Sequence, residues 1–149
     1  MSTPPTAEDR LARGLAEMAR ITGGHTPHLD AVDGIAPDLA RYAAEFAFGD
    51  IYARGGLTTP ERQLITLGVL AALGDAEPQL AAHVRAAFTV GLTVEQVVEA
   101  VMHIVPFAGF PRALNAMTVV ERVVAEQREQ QGTAPVPPGP GGERATTGS

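Results

Sequence analysis

The sequence predicts an all-α helical bundle of about six helices. Apolar residues recur at steps of three and four through most of the chain, the period of one helix face. Thr, Pro and Gly stand where helices start and stop. No segment alternates as a strand facing a core would.

The elements follow in order. Leu11, Leu15 and Met18 give a first amphipathic helix that Gly23-Gly24 ends, and residues 25–36 read as a loop. Pro37 suits the first turn of a second helix, with Leu39, Tyr42, Ala43 and Phe46 on one stripe, running as far as Arg54 before Gly55-Gly56. Thr58-Thr59-Pro60-Glu61 is a capping-box start for a third helix to Leu73, with Gly74 just beyond its end. That helix is apolar almost all round, which places it centrally or against another subunit. Gly68 in its middle costs about 1 kcal/mol relative to Ala, and close approach of a neighbouring helix is the expected reason. Pro78 opens a fourth helix ending at Gly91, and Thr93 with Gln96 caps a fifth that Pro106 stops. Residues 107–111 are a break, after which Leu114, Met117, Val120 and Val124 mark a last helix to about Gln131.

The chain has 149 residues, 45% of them hydrophobic and 19% charged, which fits one folded domain. Residues 1–6 are expected to be a disordered start, 7–131 the helical domain, and the Pro/Gly-rich stretch 132–149 a disordered tail. Net charge is −6, and all 11 basic residues are Arg, scattered rather than clustered. Nucleic acid is therefore not an expected partner. The first residues lack an apolar signal region, and no apolar run approaches the ~20 residues that span a bilayer. A cytoplasmic protein without a membrane partner is the expectation.

Cysteine is absent, so thiolate metal sites, redox pairs and cysteine nucleophiles are excluded. Phosphate-binding glycine loops, Gly-x-Ser-x-Gly and His-Glu-x-x-His are missing as well. Of the four His, His25 and His28 flank Pro27 and read as loop residues, since no further ligand stands beside them. His83 projects at the margin of its helix's apolar face, a position that suits a core-edge role and a functional role equally. His103 points away from the stripe of Val94, Val97, Val98, Val101 and Val105, one turn after Glu99. Arg54, Arg62, Arg85 and Arg112 are the guanidinium groups of the folded middle, each able to fork a carboxylate. Gln63 could hydrogen-bond at a cavity wall.

Three stretches in order resemble the carboxymuconolactone decarboxylase family: Phe48-Gly-Asp-Ile-Tyr-Ala-Arg-Gly-Gly-Leu57; Arg62 to Gly74 followed by Leu80 to Thr93; and Phe107-Ala-Gly-Phe-Pro-Arg-Ala-Leu-Asn-Ala116. Together they span about residues 38–124. The resemblance implies a helical fold of the alkylhydroperoxidase D-like type, assembled as homotrimers or homohexamers with sites near subunit interfaces. It also implies one of two chemistries. The peroxidase branch needs a Cys-x-x-Cys pair, but Asp75 and Pro78 stand near those places here, and Gln63 stands where that branch often has Glu. The other branch decarboxylates a lactone acid without a cofactor, and its His-x-Arg matches His83 and Arg85. Gly55 replaces a usual Pro and Phe107 a frequent Tyr.

The residues expected to carry catalysis are His83 and His103. Those expected to bind substrate are Arg54, Arg85, Gln63 and Phe107, with no metal and no cofactor. The ligand implied is a small carboxylic acid or lactone of the 4-carboxymuconolactone type, handled by acid–base chemistry. Two other readings fit the sequence. One is a decarboxylase, lyase or cyclase tailoring a polyketide-like secondary metabolite, and the other is a non-catalytic oligomer that binds small molecules.

Overall fold

A computed structural model describes residues 6–132. The helices are α1 (Ala7–Thr22), α2 (Pro27–Asp33), α3 (Pro37–Tyr42, continuing as a π-helix over Ala43–Tyr52), α4 (Thr59–Leu73), α5 (Glu77–Thr89), α6 (Val94–Met102), α7 (Val105–Ala108) and α8 (Phe110–Gly132). No strand occurs among the described residues. The expected capping boxes form. Thr58 accepts from the Glu61 amide while Glu61 answers at the Thr58 amide, and Thr93 pairs with Gln96 in the same way.

Four expectations need correction. Residues 25–36 are not all loop, because Pro27 at a helix first turn nucleates α2. Thr6 belongs to the ordered domain as the N-cap of α1, with Asp9 completing a capping box. The rest of the expected N-terminal and tail segments lies outside the described residues. The stripe Leu39, Tyr42 and Phe46 faces outward at 54%, 55% and 60% exposure, while Ala44, Glu45, Phe48 and Gly49 are buried. The wider turn of the π-helix beyond Tyr42 shifts which side chains meet the core. Leu114 likewise points out at 62% exposure, and α8 buries Ala113, Ala116, Val119, Val120, Val123 and Val124.

Two apolar clusters share α5. The larger joins α4, α5, α6 and α8 through Leu67, Ala71, Leu80, Val84, Ala87, Val97, Val101, Ala116, Val120 and Val123. The smaller joins α1 and the π-helix to the other side of α5 through Ile21, Phe48 and Ala86, with Met18, Tyr52 and Val90 packed on them. Helix α5 is thus sandwiched, and His83 lies between its two buried faces.

The fourth correction concerns close approach. A Cβ at Gly68 would meet only Ile104 Cγ2 at 3.9 Å, an ordinary contact. The tight contact lies elsewhere. A Cβ at Gly14 would sit 1.9 Å from the Ala44 carbonyl oxygen, and one at Gly49 2.7 Å from that of Arg10. Glycine on both partners lets α1 and the π-helix touch backbone to backbone. Polar ties lock the contact. Arg10 donates to both Asp50 carboxylate oxygens, and Arg13 donates to the Gly49 carbonyl at 2.7 Å and to Asp50 at 3.3 Å. The hydrogen bonds from Arg10 hold the Asp50 carboxyl below its ordinary pKa.

Two glycine substitutions should therefore behave oppositely. Gly14→Ala should destabilise by about 1–3 kcal/mol through forced separation of two backbones. Gly68→Ala should leave stability equal or raised by up to about 1 kcal/mol, the helix-propensity gain. Urea melts followed by circular dichroism read both. In the same assay Asp50→Asn should be less stable than wild type at neutral pH. Because the folded-state pKa of Asp50 is depressed, that gap should close as pH falls below the ordinary carboxyl value of 3.8.

Candidate active site

The four-residue turns of α5 put Leu80, Val84 and Ala87 into the main core and Ala86 into the smaller one. His83 falls between them and is half-buried. Its Nδ1 lies 3.1 Å from Oε1 of Gln63 on α4. Gln63 has no exposed surface, and its amide Nε2 has no hydrogen-bond partner among the described residues. A buried polar side chain has thus been placed in the core with its carbonyl oxygen against the imidazole.

His83 lines a cavity of about 170 Å³ with Thr22, Thr26, Leu29, Ala43, Ala47, Phe48, Ala82 and Ala86. The walls are small and mostly apolar, and the alanines make the room. Thr22 and Thr26 bring hydroxyls. The Thr22 hydroxyl donates to the Met18 carbonyl at 2.8 Å, and Thr26 is buried with its hydroxyl 3.3 Å from Asp30. Among the described residues no guanidinium lines this space.

Arg85 opens instead onto a neighbouring polar cavity of about 310 Å³, together with His25, Thr89, Glu126, Gln127 and Gln130. Thr22 and Ala82 belong to both linings, so the two spaces adjoin. Arg85 is held by Glu126 on α8 at 2.5 Å. His25, read from sequence as a loop residue, therefore stands in the compartment of Arg85. The sequence signal that could have found it is the His25-Thr26-Pro27 run, which joins two lining residues to a helix start.

The other expected site residues lie elsewhere. His103 and Phe107 pack together with ring centroids 5.8 Å apart. They line an outer groove of about 760 Å³ with Glu95, Glu99 and the outward stripe of α4, where Ile65 and Val69 are 54% and 52% exposed. That groove does not share a lining residue with the His83 cavity. Arg54 is exposed beyond the π-helix, and its carbonyl accepts from Arg62 at 2.8 Å. The structure thus joins His83 to Gln63, sets Arg85 next door, and separates both from His103, Phe107 and Arg54. Nearby, Tyr52 and Thr66 share a 2.7 Å hydrogen bond, and burial pushes the Tyr52 hydroxyl pKa up. Among the described residues no three His, Asp or Glu side chains converge as a metal ion would need.

Comparison with known proteins bears on the family and the fold. The model of the carboxymuconolactone decarboxylase family matches residues 37–122. The 4-carboxymuconolactone decarboxylase of Acinetobacter baylyi is 32% identical over 118 residues, covering 78% of this chain and 87% of that protein. The nitrosuccinic acid decarboxylase of Metarhizium robertsii is 35% identical over 81 residues, 54% of this chain and 55% of that one. The crystal structure of a protein described as a carboxymuconolactone decarboxylase from Burkholderia xenovorans superposes with a TM-score of 0.63 at 22% identity. It covers 87% of this chain and 100% of that one, and it shows the shared fold.

Proposed function

The chain belongs to the carboxymuconolactone decarboxylase family, and we propose that it is a carboxy-lyase-type enzyme acting on a small lactone or related organic acid without a cofactor. The observation that carries this reading is an imidazole braced by a buried amide on the wall of a small apolar cavity.

Loss of CO2 breaks a carbon–carboxylate bond and leaves the electron pair on carbon. An adjacent carbonyl or nitro group in the substrate can take up that pair, so the electron sink travels with the substrate. The protein must then disfavour the localised carboxylate charge and supply a proton to carbon. An apolar cavity meets the first need, because a carboxylate there loses hydration while the dispersed charge of the transition state loses less. A guanidinium clamped on the departing carboxylate would work against it by stabilising the ground state. Among the described residues this lining carries no guanidinium, which is in keeping with the chemistry. His83 meets the second need. Its imidazolium gives the proton to carbon and regains one from solvent, so each turnover consumes one proton. In this reading Arg85, in the adjoining polar space, would hold the part of the substrate that stays behind, a second carboxylate or the lactone oxygens. Arg54 has no role in this scheme.

The outer groove fits self-association. Ile65, Val69 and Leu73 form a stripe on α4 that one chain leaves 52–62% exposed, and Phe107 beside it is 80% exposed. A second copy of the chain covering this face, in a homotrimer or homohexamer, would remove it from water. In that arrangement His103 and Phe107 lie at a subunit boundary.

Two measurements check the reading. Purified protein incubated with 4-carboxymuconolactone, and separately with 2-nitrosuccinate, should release CO2 from at least one of them. His83→Ala should lower that rate by at least about 100-fold, the scale of a lost general acid, with its helical dichroism unchanged. Wild-type turnover in His83→Ala would remove the imidazole from the reaction. Light scattering on a sizing column should give the mass of three or six chains, and Val69→Glu should shift it downward. A wild-type monomer would sink the assembly.

A further inference from the structure

From the 3.1 Å contact between Gln63 Oε1 and His83 Nδ1, made by an amide with no exposed surface, we propose that Gln63 is a positioning residue that fixes the His83 tautomer. It holds the proton on Nδ1 and makes Nε2 the nitrogen that gains and gives the catalytic proton. This deepens the reading of His83 as the proton donor and rests on it.

Lone pairs decide which nitrogen carries the hydrogen. A carbonyl oxygen can only accept, so Nδ1 must carry a hydrogen to bond it. Nδ1 carries one in the neutral δ1 tautomer and in the imidazolium alike. The bond therefore survives protonation and release, and the ring need not turn during a turnover. The opposite amide orientation would ask Nδ1 to accept. That bond is lost on every protonation, because imidazolium has no ring lone pair left. The amide's neutrality matters too. A carboxylate at the same place would stabilise the imidazolium and make it a poorer acid. Glutamine orients the ring without adding that charge.

The amide carries a cost that points the same way. Its Nε2 is buried without a partner among the described residues, and an unpaired buried donor is destabilising. An apolar side chain of similar length would avoid that penalty, so stability does not account for glutamine here. Among the described residues, the charged groups in the adjoining cavity are Arg85 and Glu126, paired with each other, with His25 as a further titratable group, and Asp30 bonds Thr26 on the wall of the His83 cavity. None changes when position 63 is varied, so a shift between variants reports on that position.

The test is ¹⁵N NMR of the histidine rings in the full-length protein, with His83→Gln to assign the signals and no ligand present. In wild type, at a pH where His83 is neutral, its Nδ1 should show the protonated, pyrrole-type shift and Nε2 the pyridine-type shift. In Gln63→Met both nitrogens should move toward intermediate values, while the thermal midpoint stays within a few degrees of wild type. In Gln63→Glu the His83 titration midpoint should rise by about one unit or more. A wild-type ring protonated at Nε2 would overturn the proposal, and so would a δ1 tautomer unaltered in Gln63→Met. If Gln63→Met does not fold, an unmoved midpoint in Gln63→Glu overturns it alone. None of these readouts needs turnover, so they separate this proposal from the decarboxylase reading. Loss of CO2 release with the tautomer intact counts against that reading only.

Discussion

The arrangement depends on α5 being buried on two sides at once. Val84 and Ala87 enter one apolar cluster and Ala86 enters the other. A helix held this way cannot rotate without exposing one of its faces, so the residue between those faces is fixed in direction. That residue is His83. The α5 residues that share its cavity, Ala82 and Ala86, are small, and the space they leave is part of that cavity. The site is in this sense a by-product of packing: where two clusters meet along one helix, the seam is where a polar group and a void can coexist.

The second cluster exists only because α1 and the π-helix lie close together. Gly14 and Gly49 allow the contact, and Arg10, Arg13 and Asp50 hold it. This brings Ala43, Ala47 and Phe48 over the imidazole as the far wall of the cavity. The segment α2 closes another side with Leu29. The imidazole and its amide partner thus sit on the α4–α5 pair, and the facing wall is built from α2 and the tightly joined π-helix. With the polar pair on one wall and apolar side chains on the other, the cavity's shape can vary through the facing wall without moving His83.

Local patterns in the sequence carried most of the helices. Capping boxes at Thr58 and Thr93, and glycines after Leu73 and Thr22, act within a few residues, so the chain states them directly. The π-helix was not legible, because the apolar residues of 39–46 fit an ordinary helix and only tertiary packing decides which of them turns inward. Gly68 misled for the same reason: a glycine in a helix announces a cost, not the partner that justifies it. The site was legible in part. The position of His83 at the edge of an apolar face follows from helix geometry. Its link to Gln63 spans two helices, and its separation from His103 depends on how α6 packs, which spacing along the chain does not specify. The family resemblance joins Arg85 to His83 as a His-x-Arg pair. Two residues on a helix point about 200° apart, and the structure accordingly sends Arg85 into the other compartment.

That separation bears on the chemistry rather than detracting from it. A cation beside the proton donor would pull the departing carboxylate into a stable ion pair and repel the imidazolium. A cation one compartment away, already balanced by Glu126, can orient the remainder of a substrate with neither effect. A thiol route is closed to a chain without cysteine, and what the structure sets at this seam is a neutral amide and an imidazole. Such a pair cannot pass electrons. It can hold one proton in a fixed direction next to a mostly apolar space, and for an acid whose own carbonyl or nitro group receives the electron pair, a placed proton and an apolar cavity are the contributions that the proposed chemistry asks of the protein.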